Sequence, residues 1–271
     1  LRKDSNFLVD LSAFALKNKN EKSMTMLRTH LYDFAMDYEN FLQLRVLDLD
    51  GKEVIRVDKE SKSVALVKQL QDKSNRYYFK EATTLSQNEI YLSRLDLNKE
   101  FGKVQIPHIP VIRVVQPIFV DGKKVAYFIL NYKAKELLDL ISIKKKGFEV
   151  TMLNKSGGYF LAPDESKEFS FMFAENESNF SADLPGVWNN ILKNKQNPFD
   201  LNSKTYHYIA YNPVEVISPQ RNMQSSLQWY IISSFSHEII FAKFFKSVHL
   251  HDHVTFPILL MLIIAFFYAN S

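Results

Sequence analysis

Apolar side chains at the start of the chain recur every three or four residues. Leu27, Leu31, Phe34, Tyr38 and Phe41 form one stripe at that spacing, and no glycine or proline precedes Gly51. A single stripe with a period near 3.6 marks an amphipathic helix. The pattern predicts a long helix over residues 6–42, which the polar stretch 17–23 either interrupts or exposes. Such a helix is longer than one small sheet requires. Part of its stripe is therefore expected to cover the chain's own core and part to pair with a second copy.

Beyond this helix the period falls to two. Residues 43–48 and 54–57 read as strands around Asp50-Gly51, and 111–119 and 125–132 as strands around Asp121-Gly122. Asp-Gly between alternating runs predicts hairpins. Residues 90–95 form a further strand, 63–85 read as mostly helical, and 133–141 as a short helix. A shorter version of this order follows: strands 148–153 and 158–162 around a turn at 154–157, a helix at 184–192, strands at 204–211 and 228–235, and a helix from 237. The predicted fold class is α+β, with two small modules of mainly antiparallel sheet over 43–147 and 148–236. The helical segment 1–42 precedes them and a juxtamembrane helix 237–253 follows.

Residues 254–269 read VTFPILLMLIIAFFYA, without a charge or a polar stripe. The run is somewhat shorter than the ~20 residues that cross a bilayer. A buried core helix usually keeps one polar stripe, so 254–271 is expected to be the start of a transmembrane helix. The first residues do not follow a charged-then-apolar signal pattern. The chain reads as one that begins after a first membrane helix and ends inside a second.

Composition narrows the functions. The chain of 271 residues is 46% hydrophobic and 24% charged, with a formal net charge of +4 and no cysteine. Thiolate metal sites, disulfides and cysteine nucleophiles are excluded. The densest basic run, Lys144-Lys145-Lys146, is too short to argue for nucleic acid. His249 and His253 share a helix face, but no third ligand is placed with them, so no metal is expected. His108 reads as structural between two Ile-Pro pairs. Asn154-Lys155-Ser156-Gly157-Gly158 lacks the spacing of a phosphate loop. With no nucleophile elbow or linked base, the chain is not expected to be an enzyme, and no cofactor is expected.

Three separated strings carry a resemblance: Leu44-Arg45-Val46-Leu47-Asp48-Leu49-Asp50-Gly51-Lys52-Glu53-Val54-Ile55-Arg56, then Tyr91-Leu92-Ser93 to Leu97-Asn98-Lys99-Glu100-Phe101-Gly102-Lys103, then Pro107-His108-Ile109-Pro110-Val111-Ile112-Arg113. In that order, and with the element order above, the chain resembles the double Cache (tandem PAS-like) periplasmic sensors of bacterial histidine kinases and diguanylate cyclases. The resemblance implies a membrane-distal module at 43–147 and a membrane-proximal one at 148–236. It also implies a receptor of the bacterial inner membrane with this region in the periplasm, anchored by flanking helices and homodimeric when complete. A histidine kinase is the output expected first, a diguanylate cyclase second and a chemoreceptor third. A module that binds a periplasmic protein is the competing reading.

In ligand-binding Cache domains an Arg-x-aromatic-aromatic segment lies beside the pocket, and Arg76-Tyr77-Tyr78-Phe79 resembles it. The implied site is Arg76 for an anionic or strongly accepting group, Tyr78 and Phe79 as walls, and Tyr91, Ser93, Arg113 and Asn131 as polar contacts. Asn131 stands where amino-acid-binding members carry an aspartate, so a ligand without an ammonium is expected. The residues support this chemistry independently. A guanidinium is a planar fork suited to a carboxylate, and aromatic side chains give a shaped wall. Two alternatives stay open: Arg76 can cap a helix or pair with Glu81, and Arg113 can serve a structural ion pair.

Overall fold

The computed structural model describes residues 2–60, 62–142, 146–173, 178–193, 197–212, 214, 223–224 and 227–238. The expected transmembrane start at 254–271, most of the helix expected over 237–253, the His249–His253 cluster and most of the lysine run lie outside these residues. Among the described residues no helix is long and apolar enough to cross a membrane.

The expected single helix over 6–42 is two. Helix α1 spans Arg2–Asn18 and α2 spans Glu21–Asp37. Between them Lys19 takes a left-handed backbone (φ 52), and Asn20 caps α2 by accepting from the Ser23 N–H at 2.8 Å. This Asx cap satisfies one of the donors a helix start leaves open. The break lets both helices lie on one sheet. Leu8, Leu11 and Ala15 of α1 join Leu27, Leu31 and Phe34 of α2 in a single buried cluster. The stripe expected to reach toward a second copy is thus spent on the chain's own core, and Phe41 already belongs to the first strand.

The strands of the first half are β1 (Phe41–Leu47), β2 (Glu53–Glu60), β3 (Ser63–Leu66), β4 (Ile90–Leu92), β5 (Asp96–Leu97), β6 (Lys99–Glu100), β7 (Lys103–Val104), β8 (Pro110–Val120) and β9 (Lys123–Lys133). Helix α3 spans Tyr77–Ala82 and precedes β4. The segment 63–85, expected to be mostly helical, is a strand, a loop and this short helix. Both predicted hairpins form. At the first, Asp48 accepts the N–H groups of Asp50 and Lys52. Gly51 there has φ +85, and a Cβ on it would lie 2.7 Å from the Ser74 backbone, so no other residue fits this turn.

The second half contains α4 (Lys135–Ile141), β10 (Phe148–Asn154), β11 (Tyr159–Leu161), α5 (Phe180–Asp183), α6 (Pro185–Leu192), β12 (Phe199–Leu201), β13 (Lys204–Tyr211), β14 (Met223–Gln224) and β15 (Trp229–Ser236). Two main sheets result. One is 8-stranded, ordered β14-β4-β8-β9-β1-β2-β3 with β5 on β8; the other is 5-stranded, ordered β11-β10-β15-β13-β12. All pairings are antiparallel except β14 beside β4. This parallel pair returns the second half of the chain to the edge of the first sheet. A shared apolar cluster sits at the junction, with Leu92, Leu95 and Leu97 against Met152, Phe160 and Trp229.

Candidate functional site

Helices α1 and α2 cover one face of the first sheet. The other face is unusually polar for a buried surface. Gln43 on β1, Asn131 on β9 and Arg113 on β8 stand side by side in register, with Arg45 and Arg56 as the next cross-strand pair. Buried charges must be paired and hydrogen-bonded; each of these is paired, while Arg45 Nε, Arg56 Nη1, Arg113 Nε and Asn131 Oδ1 make no hydrogen bond among the described residues. Arg113 donates to Asp96 at 2.6 Å and lies 4.8 Å over the Tyr78 ring. Arg45 pairs with Glu53 at 3.1 Å and Glu100 at 2.7 Å.

Glu100 is the hub of this face. Its Oε1 accepts from Gln43, Arg45 and Asn98, and its Oε2 from Gln71. The Oε2 also pairs with Arg56 at 2.9 Å and Lys73 at 3.6 Å. Burial alone would raise the Glu100 pKa, but Arg45, the Gln43 hydrogen bond, Lys73 and Arg56 hold it well below the usual carboxylate range.

Burial, and secondarily Arg45, pulls Lys73 down to about 8. The unfolded lysine titrates near ~10.4. Between these values the unfolded chain binds a proton that the folded chain does not, so stability rises with pH. Denaturant melts at stepped pH from 8 to 10 are expected to show that rise, and Lys73→Met is expected to flatten it. An equal rise in the variant would assign it to another group.

Five of the seven site residues expected from sequence lie buried on this face or in the core beside it, outside the cleft between the sheets. Tyr78 is 1% exposed, with Arg113 over its ring and the Arg45 Nη1 donating to its hydroxyl at 3.5 Å. The space beside it is closed by core side chains. Phe79 is buried edge-on to Tyr127. Ser93 accepts from the Arg113 backbone N–H and donates to the Arg94 carbonyl. Arg113 takes the structural ion-pair alternative. Asn131 donates to Gln43 at 2.8 Å.

The other two, Arg76 and Tyr91, line a cleft of about 720 Å³ between the two sheets. Arg76 occupies the cap position of α3, but its side chain makes no cap bond. It does not pair with Glu81, whose carboxylate accepts from the Tyr91 hydroxyl. Burial and then that hydrogen bond push the Tyr91 pKa up. Asp96 is held by Arg113 and by the Tyr77 hydroxyl at 3.0 Å. Burial, and next Asp96, push Tyr77 up to about 12. Both acids of the cleft are therefore already engaged.

Its four bases are not. Arg76, Arg94, Lys99 and Lys155 line the cleft and make no ion pair among the described residues. Arg94 lies 3.9 Å over the Tyr77 ring, and Arg76 lies 5.7 Å from the centre of Tyr78. A cavity of about 420 Å³ in the second sheet is different in kind. There Lys204 pairs with Glu149 and Lys167 with Asp183. Of these two cavities, the one between the sheets carries the unpaired bases.

Sequence reading missed Asp96, Glu100, Arg94, Lys99, Lys155 and Trp229. One string that carried the family resemblance, 91–103, spans Arg94, Asp96, Lys99 and Glu100, and that was the available signal. The wall from the second sheet left none, because its residues lie far along the chain from Arg76.

Residues 3–225 match the family described as bacterial histidine kinase, sensor domain. The chain belongs to that family and is a histidine-kinase sensor domain. Among curated proteins no relative is found. The fold is similar to a domain of a sensory box/GGDEF family protein from Vibrio parahaemolyticus, at 22% identity and TM-score 0.70, covering 88% of this chain and 92% of that one. It is equally similar to the extracellular domain of the histidine kinase vpHK1S-Z8, at 21% identity and TM-score 0.70, covering 89% of each chain. It is also similar to the ligand-binding domain of the Campylobacter jejuni chemoreceptor Tlp3 in complex with L-valine, at 15% identity and TM-score 0.55, covering 88% and 84%.

Proposed function

We propose that the chain senses a small organic acid in the periplasm, as part of a homodimeric histidine-kinase receptor of the bacterial inner membrane. The observation that carries the ligand class is the cleft whose four bases lack ion-pair partners while both its acids are engaged. Arg76 receives the acid group, and Tyr77 and Tyr91 flank it. The similarity to an L-valine-binding chemoreceptor domain supports a small-molecule ligand. An amino acid fits this cleft less well than a plain acid, because Asp96 is paired with Arg113 and Glu81 already accepts from Tyr91, which leaves one part-engaged acid against four bases. Outward-facing Phe7 and Phe14 on α1 supply apolar surface for association in the full receptor.

A thermal-shift screen of the purified chain against small acids, amines, amino acids and sugars tests the ligand class. A ligand that binds only the folded state stabilises it, by about 2.7 kcal/mol at a hundred times its Kd. Acids are expected to raise the melting temperature. Losing one charge-assisted hydrogen bond costs about 1.5–3 kcal/mol, so Arg76→Ala is expected to weaken binding by roughly ten- to a hundredfold with little change in the unliganded melt. Stabilisation by amines or sugars alone would overturn the acid reading.

A further inference from the structure

We propose that the cleft is a two-walled site for an organic dianion, with one acid group held by the first sheet and the other by the second. The inference rests on the acid reading above and adds the second wall and the second charge.

The first wall carries Arg76, Arg94 and Lys99. The second is built by the β10–β11 turn and the start of β15. In the turn, Asn154 Oδ1 accepts the N–H groups of Ser156 and Gly158 at 2.8 and 2.9 Å. Gly157 sits at φ +85, where a Cβ would meet Asn179 Oδ1 at 2.6 Å. This fixed turn holds Lys155 at the cleft with its ammonium unpaired among the described residues.

Trp229 is the independent observation. It lines the same cleft and is 4% exposed, yet its Nε1–H has no acceptor among the described residues. Buried indole N–H groups normally find a partner. The Nε1 itself has almost no exposed surface, so a bound molecule supplies its acceptor only by displacing the neighbours that cover it.

The charge sets the ligand class. The lining carries four bases against two acids, one of which, Asp96, is already paired with Arg113; an excess of more than one positive charge favours a dianion over a monoanion. The lining also carries apolar side chains, Leu95 from the first half and Phe160, Met172 and Leu227 from the second. These suit a carbon skeleton joining two acid groups. A molecule that bridges the walls would fix one sheet against the other, and so would act directly on the junction where β14 returns to β4.

The test uses the purified chain with the α,ω-dicarboxylates malonate to adipate, the matched monocarboxylates propionate and butyrate, and inorganic phosphate. Binding is read by calorimetry and by indole fluorescence. The variants are Arg76→Ala, Lys155→Ala and Trp229→Phe, each first checked for an unchanged unliganded melt. Trp229→Phe keeps an aromatic ring and deletes the donor. At least one dicarboxylate is expected to bind more tightly than its matched monocarboxylate and to change the wild-type indole emission. Lys155→Ala and Trp229→Phe are each expected to weaken it by about tenfold, the size of one modest polar contact. Dicarboxylate binding that falls in Arg76→Ala but is untouched in both second-wall variants would overturn the two-walled site and leave the acid reading standing. Binding of monocarboxylates alone, or of phosphate alone, would overturn the dianion. Failure of every anion to bind would remove both readings.

Discussion

Replacing Glu100 by alanine is expected to lower the stability of the unliganded domain by about 3–5 kcal/mol, the range for removing one partner of a buried ionic group. The side chain is 15% exposed and lies against Arg45, Arg56 and Lys73. Once it is gone, Arg56 keeps Asp58 at 2.6 Å and Arg45 keeps Glu53, but Lys73 has no carboxylate within ion-pair distance. Gln43, Gln71 and Asn98 also lose an acceptor. Glu100→Gln keeps the shape and removes the charge. Because the folded pKa lies below the unfolded value of ~4.3, the charged carboxylate contributes stability above that value, and the contribution is lost as pH falls through the folded pKa. The gap between wild type and Glu100→Gln in denaturant melts is therefore expected to narrow from pH 7 toward pH 3. A loss under about 1 kcal/mol in the alanine variant at pH 7 would show that the network contributes little.

The legible parts of the fold were those set by neighbours in sequence. Asp48 with Gly51, and Asp121 with Gly122, fix their hairpins through turn chemistry alone, and β13 occupies the residues its alternation predicts. The polar stretch 17–23 pointed to the break that Asn20 caps. The segment 63–85 was misread because its apolar residues do not report burial: Leu66 and Leu70 are exposed, so their spacing carried no helical face. The charged face was hidden for a different reason. Arg45 and Glu100 are separated by 55 positions, and no periodicity links residues that meet only after two loops fold over the sheet. The same holds for the cleft, where Arg76 came from the family's aromatic segment and Tyr91 from the strand face it shares with Ser93, while Lys155 and Trp229 lie on another sheet. Arg113 and Asn131 were assigned to the right face of the right strands. In the unliganded chain Arg113 pairs with Asp96 and Asn131 donates to Gln43, while Arg113 Nε and Asn131 Oδ1 find no partner among the described residues.

Asp96→Ala is the sharper probe of that last distinction, and it is also expected to cost about 3–5 kcal/mol. Arg113 is 1% exposed, and Asp96 is its sole carboxylate partner among the described residues. Without Asp96, Arg113 keeps only its face-on contact with Tyr78, worth about 2 kcal/mol when desolvated and too little to offset an unpaired buried guanidinium. Tyr77 loses the acceptor of its hydroxyl as well. Replacing both members, Arg113→Met with Asp96→Leu, removes the charge and its counter-charge together. Such swaps are often neutral or stabilising, so the double variant is expected to recover most of the stability lost in Asp96→Ala. The single variants Arg113→Met and Asp96→Leu, with the double, close a thermodynamic cycle whose coupling energy reports the pair directly. If Asp96→Ala unfolds at the same denaturant concentration as wild type, Arg113 has another counter-ion or is hydrated. The closed space beside Tyr78 would then be open to a ligand after all, and the acid-binding position would move from the cleft to the face of the first sheet.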